Sequence, residues 1–285
     1  VEADELGSNL GFIEIYDTSG YTYGVTISGN YAYVAEGDNG LVIINIEDPT
    51  TLTRTGNYDN GGHTTDVTIS GNYAYLADQD NGLVIINIED PANPTLVGSY
   101  DTNGGDAKGV TVSGNYAYVD NYDGLVILDI EDPANPTFVG GYDTENFAYG
   151  VAISGNYAYV AEGGNGLVII NIEDPANSTF VGSYNTGGYA TGVTISGNYA
   201  YVADQGNGLV IINIEDPANP TFVRSYNTDG DAMSVTISGN YAYVADQDNG
   251  LVIINIEDPA NPTFAGSYYT GSYAQDVTIS GNYAY

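Results

Sequence analysis

The feature that most restricts this chain is a repeat. The hexapeptide Ser-Gly-Asn-Tyr-Ala-Tyr begins at Ser28 and returns at Ser70, Ser113, Ser154, Ser196, Ser238 and Ser280, with successive starts 42, 43, 41, 42, 42 and 42 residues apart. A second anchor, Gly-Leu-Val-Ile, keeps the same period, its leucine standing at positions 41, 83, 125, 167, 209 and 251. A period of this length means that one small unit is arrayed along the chain and that each unit buries apolar surface against its neighbours.

Residues 193–226 show what one unit contains. Val193-Thr194-Ile195 alternates apolar and polar positions, and Gly197-Asn198 is a tight hairpin turn. Residues 199–203 form a second short strand rich in aromatic and β-branched types. After the turn cluster at 204–208 comes an apolar run, 209–214, broken only by Asn213. It is too short for a helix and suits a strand covered on both faces. Pro217 and Pro220 end it, since neither can continue a central strand, and Thr221 opens a fourth strand. Four short antiparallel strands in about 42 residues is the period of a β-propeller blade. Helical solenoids need a 3.6-residue period, which is missing, and a leucine-rich repeat would be shorter.

The units, as in Tyr-Ala-Tyr-Val-Ala-Asp and Gly-Leu-Val-Ile-Ile-Asn-Ile-Glu-Asp-Pro-Ala-Asn-Pro-Thr within residues 241–263, resemble the LVIVD repeat family across residues 12–285. That resemblance implies a propeller of the kind carried by bacterial and archaeal cell-surface or secreted proteins, with no shared catalytic set to transfer. The chain has Ile-Asn where the family name has Val-Asp, and only Asp129 keeps an acid at that place.

The inner and second strands of the unit occur seven times and the Leu-Val-Ile third strand six times. Residues 12–16 end twelve residues before Ser28, as Tyr58 stands twelve before Ser70, and so occupy an outer-strand place. The expectation is an all-β, seven-bladed propeller whose last blade is closed by the N- and C-terminal strands, a device that removes open edges. Residues 1–11 are then an N-terminal extension and 12–285 a single domain. One strand of the last blade is unaccounted for. Either that blade has three strands, or the chain continues beyond Tyr285, or a neighbouring molecule donates the strand.

Charge excludes several functions. There are 37 acidic residues against Arg54, Lys108 and Arg224, a formal net charge of -34. Phosphate binding needs clustered Lys and Arg, so nucleic acid and anionic membrane surfaces are excluded as partners. No apolar run approaches the roughly 20 residues of a membrane helix. The absence of cysteine removes disulfides, thiol nucleophiles and thiolate metal sites. The chain opens at Val1 with no signal-like segment, and the expectation is a mature or excised product with any export signal already removed, located outside the cell or on its surface. The sequon Asn177-Ser178-Thr179 points weakly the same way.

Near-identical repeats carry an internal control: positions common to all units serve the fold, and those that differ are free for function. The loop from outer to inner strand differs most, at residues 59–66, 101–109, 143–150, 185–192, 227–234 and 269–276. It holds the only histidine (His63), lysine (Lys108) and methionine (Met233), together with Asp66, Asp106, Tyr149 and Asp276. These seven residues are the candidate binding positions, since binding usually resides on loops set by a rigid scaffold. The loop between second and third strands emerges on the same side and carries Asp38, Asp78, Asp80, Asp120, Asp123, Asp204, Asp246 and Asp248, so that side is read as acidic. Asp78-Gln79-Asp80-Asn81-Gly82 and Asp246-Gln247-Asp248-Asn249-Gly250 resemble the start of a calcium loop with the glycine one residue early. A hairpin turn explains all six copies, and calcium explains two or three. The tyrosines of the Tyr-Ala-Tyr strands are read as packing between blades. No cofactor is required, with calcium as the one candidate.

These features favour a non-enzymatic module that binds a protein or glycan at the cell surface. A first alternative is a polymer-forming subunit of a surface layer, sheath or fibre, self-associating by strand donation. A second is a polysaccharide-active enzyme using loop carboxylates such as Asp66 and Asp276 as acid and base.

Overall fold

A computed structural model describes residues 11–18, 20–102, 106–144 and 146–285. The expected extension therefore falls, except for Gly11, outside the described residues. The remainder is built from six four-stranded antiparallel sheets, each with its strands in chain order, and a final two-stranded hairpin. The only helical piece among the described residues is a 3₁₀ turn at Pro175–Asn177. Among them no helix is long and apolar enough to cross a membrane. The molecule is an all-β propeller of six blades, spanning residues 24–58, 64–100, 109–143, 150–184, 192–226 and 234–268.

Blade 5 shows how the sequence makes a blade. Its inner strand Gly192–Ser196 pairs with the second strand Tyr199–Ala203 across the Gly197-Asn198 turn, with Ser196 opposite Tyr199. Gly197 has φ +57° and Asn198 does not share the positive φ, the type II′ pattern that matches strand twist. The second strand pairs with Leu209–Asn213 and that with Thr221–Tyr226. Leu209, Ile211 and Ile212 are fully buried, as a strand covered on both faces must be. Each such side chain contributes roughly 1.5–3 kcal/mol by its removal from water.

A side-chain oxygen ends each third strand. Asn213 Oδ1 accepts the Glu215 N–H at 2.9 Å, and Asp129 Oδ1 does the same for Glu131 at 2.8 Å. The contact needs an oxygen and no charge, so asparagine and aspartate both make it. Asp216 then accepts from Ala218 N and from Asn219 Nδ2, fixing the Pro-rich turn.

Third and outer strands shift register at the same place in every blade, as between Ile211 and Ile212. Near this bulge, blades 1, 2 and 4 bring an outer-strand glycine under the Pro-rich turn of the blade that follows: a Cβ on Gly98 would stand 2.4 Å from Pro133 O, and one on Gly182 would stand 2.5 Å from Pro217 O. The tyrosines pack between blades as read from sequence. Tyr201, 3% exposed, joins Ala203 and Leu209 of blade 5 to Ala242, Val244 and Ile254 of blade 6.

The chain divides into two compact units. Phe12–Asp143 carries blades 1–3, and Thr144–Tyr285 carries blades 4–6 with the final hairpin. The blade count is corrected from seven to six. The seventh repeat supplies only Ile279–Ser280 and Tyr283–Ala284, paired with each other. Residues 12–16 form no strand, and Phe12, Ile13 and Ile15 are exposed. A third strand is what buries the second strand in every other blade.

Candidate functional site: the triplets before the inner strands

Each repeat places three residues immediately ahead of its inner-strand glycine or its equivalent. They are Tyr-Thr-Tyr at 21–23, His-Thr-Thr at 63–65, Asp-Ala-Lys at 106–108 and Phe-Ala-Tyr at 147–149, then Tyr-Ala-Thr at 189–191, Asp-Ala-Met at 231–233 and Tyr-Ala-Gln at 273–275. The middle residue is always alanine or threonine, and the backbone explains why. Thr64 exchanges two backbone hydrogen bonds with Gly37, Ala190 with Gly163, and Ala232 with Gln205, each tying a triplet to the second-to-third loop of the preceding blade. Thr64, Ala107, Ala190 and Ala232 are fully buried, so only a small side chain fits. The outer two members of the triplet are released to vary.

In the unit Phe12–Asp143, His63 Nδ1 lies 2.7 Å from Asp38 Oδ1, with the Tyr23 ring edge-on at 5.0 Å. The Asp38 side chain is 90% exposed, so this polar contact is open to solvent. Lys108 Nζ stands 3.7 Å from Asp106 and 5.2 Å from the Tyr122 ring centre, which neutralises and orients the one lysine. Asp66 is pinned by backbone: its two oxygens accept from Val67 N at 2.8 Å and Val110 N at 2.9 Å.

In the unit Thr144–Tyr285, the Tyr149 and Tyr189 hydroxyls meet at 2.6 Å with their rings edge-to-face, and Phe147 lies edge-on to Tyr149 while remaining exposed. Gln247 Nε2 donates to Met233 Sδ at 3.1 Å, and Ser234 Oγ donates to Asp276 Oδ1 at 2.6 Å. The structure thus engages every candidate of the variable loops with a neighbour in its own unit. Asp66 and Asp276, named together from sequence, belong to different units.

The acidic side expected from sequence is only half a surface. Asp38, Asp80, Asp123 and Asp248 are exposed, whereas Asp78, Asp120, Asp204 and Asp246 are fully buried. Three of the buried four sit in a repeated bracket. Asp204 accepts from Thr186 Oγ1 at 2.7 Å and Asn207 Nδ2 at 2.8 Å; Asp246 accepts from Thr228 Oγ1 at 2.6 Å and Asn249 Nδ2 at 2.9 Å. Asp78 Oδ2 accepts from Asn60 and Asn81. Burial raises the carboxyl pKa of all three above the ordinary value, and these hydrogen bonds partly restore it. The two stretches that resemble calcium loops therefore turn their first aspartate inward to a hairpin bracket and their second, Asp80 or Asp248, outward to solvent. Among the described residues no group of three or more His, Cys, Asp or Glu side chains is gathered for a metal.

Asp120 breaks the pattern. It stands at the column that is Ala35, Ala77, Ala161, Ala203 and Ala245 in the other blades, one residue ahead of the bracket position, which in blade 3 is Asn121. In the linear sequence it stands among the loop acids, and only with the repeats in register does it separate from them. The triplets were likewise legible, through the constant small residue at their centre.

Repeated four-stranded antiparallel sheets, with variation greatest in one set of loops, define a β-propeller repeat protein. The LVIVD repeat matches residues 19–60, 61–102, 104–144, 147–186, 187–228, 229–270 and 271–285, and the chain belongs to that family. Among solved structures, a functionally unknown protein from Desulfotomaculum acetoxidans superposes with a TM-score of 0.73 at 18% identity, covering 87% of this chain and 83% of that one. A putative 6-phosphogluconolactonase from Bacteroides fragilis gives 0.73 at 15% identity, with 89% and 85% covered. The computationally designed Ika8 protein gives 0.72 at 11% identity, with 93% and 80% covered. At these identities the likeness is one of fold. A search of curated proteins finds no match.

Proposed function

We propose that this protein is a non-enzymatic binding module, extracellular or on the cell surface, that recognises a glycan or protein through its variable triplets. The observation that carries the reading is the contrast within the triplet. Its central residue is held by backbone hydrogen bonds and is always small, while the flanking positions hold Tyr, His, Phe, Lys, Asp, Met and Gln on an otherwise repeated frame. Half-exposed aromatic rings with polar tips beside carboxylates offer both an apolar face and hydrogen bonds to a ligand. The net charge of -34 gives a preference for neutral or cationic ligands over anionic ones. The test is a glycan array and a pull-down from isolated cell-wall material, comparing the wild type with Tyr149→Thr/Lys108→Thr. Both substitutions use the residue that another repeat carries at that place. Binding by the wild type that falls at least tenfold in the variant supports the reading. Equal binding by the two proteins refutes it.

A second reading, assembly, is favoured by the last hairpin. Ala284 is exposed and Tyr285 only partly buried, whereas the matching Ala and second Tyr of the six complete blades are buried. Such an edge accepts a strand of the Leu-Val-Ile-Ile-Asn pattern, from further chain or from a neighbour. A light-scattering mass above 29.9 kDa that falls when Tyr283 is replaced by proline would favour assembly.

A further inference from the structure

We propose that the buried Asp120 and the partly buried Asp66 form a two-carboxylate site for one divalent cation, between the inner strands of blades 2 and 3. Three observations converge on it. The first is that Asp120 is fully buried and neither of its oxygens has a hydrogen-bond partner, in contrast to the bracketed Asp204 and Asp246. An ionised carboxylate in that condition costs free energy unless something of opposite charge satisfies it.

The second is the second carboxylate. Asp66 and Asp120 act on each other as like charges, and that repulsion adds to burial in driving the Asp120 pKa well above its ordinary value. Two adjacent carboxylates carry the charge that one Ca²⁺ or Mg²⁺ neutralises. Hard cations of this kind take oxygen ligands, and magnesium is commonly held by only one or two carboxylates with water completing the shell. Asp66 is held in place for such a role by the Val67 and Val110 amides, and a carboxylate oxygen that accepts one N–H can still ligate a cation.

The third is close approach. Gly109 pairs with Asp120 across the sheet, and a Cβ placed on Gly109 would stand 2.5 Å from Asp120 Oδ2 and 3.6 Å from Asp66 Oδ2. Only a glycine there lets both carboxylates draw near the same point of the inner-strand backbone. The neighbouring blade has no such arrangement, because Gly24 also lies beside Asp66 but its partner across the sheet is Ala35. The site exists only where an aspartate replaces the column alanine.

Asp120→Ala tests the assignment, because it installs the residue that five other blades carry and so retains the fold. Protein stripped with EDTA is titrated with CaCl2 and, separately, MgCl2 by calorimetry, and melted with and without each salt at fixed ionic strength. The expected result is one saturable site per chain and a melting temperature that rises with one of the cations, both lost in Asp120→Ala and in Asp66→Asn. Equal cation responses in wild type and variants would show only screening of the acidic surface and would overturn the proposal. Melting that depends on pH but not on either cation would also overturn it, since the pair would then take only a proton.

Discussion

Two buried aspartates, Asp204 and Asp120, should respond to replacement by alanine with opposite signs. Both are fully buried, but Asp204 accepts from Thr186 Oγ1 at 2.7 Å and from Asn207 Nδ2 at 2.8 Å, while Asp120 has no partner. Removing the Asp204 carboxyl deprives two donors of a charged acceptor, at roughly 1.5–3 kcal/mol each. Relief of the buried charge offsets part of that, leaving a net loss of about 3 kcal/mol. In a domain of this size each kcal/mol moves the melting temperature by roughly 2–4 °C, so Asp204→Ala should melt about 10 °C lower. Asp120→Ala, in EDTA, removes an unsatisfied group whose burial costs about 1–3 kcal/mol. The packing tolerates the smaller side chain, because alanines at the same column are 0–1% exposed in the blades that carry them. The net gain is about 1 kcal/mol, or roughly 3 °C upward. Differential scanning calorimetry of the three proteins, in EDTA at pH 7, reads both shifts. Equal losses in the two variants would mean that Asp120 is satisfied as Asp204 is, and the reasoning would fail.

Three further outcomes follow from the same structure. Asp78, Asp120, Asp204 and Asp246 all have folded-state pKa values above their unfolded ones, so each costs stability once pH exceeds the unfolded value, and the full cost is reached above the folded one. The urea midpoint should therefore rise as pH is lowered from 7 towards about 5, and a steady fall over that range would contradict it. With a net charge of -34, raising NaCl from about 10 mM to 0.5 M should raise the melting temperature as the Debye length shrinks from roughly 30 Å to a few Å; a flat profile would show that the acids do not repel across the fold. Gly182→Ala should cost about 1–3 kcal/mol in chemical denaturation, because its Cβ would stand 2.5 Å from a backbone oxygen of the next turn.

What could be read from the sequence was whatever repeats. The order of four strands, the Gly-Asn turn, the doubly covered Leu-Val-Ile strand and the tyrosine packing all follow from local pattern, because each unit states the same pattern again. Closure did not follow. Residues 12–16 have the spacing of an outer strand, yet a strand needs a neighbour to pair with, and among the described residues they join no sheet. The direction of the loop aspartates was also hidden. Asp204 turns inward because Thr186 stands eighteen residues earlier and Asn207 three later to receive it, a partnership no single turn announces. Asp248, in the same kind of loop, lacks that bracket and faces solvent.

The most direct measurement of the central claim is a glycan array and cell-wall pull-down with wild type and a triplet variant, His63→Tyr/Lys108→Thr/Tyr149→Thr, in which each new residue is one that another repeat carries at that position. A binding module predicts a discrete set of ligands for the wild type, lost in the variant while its melting temperature and mass stay the same. Ligands retained unchanged by the variant, or a wild type that binds none and runs as a polymer, would contradict it.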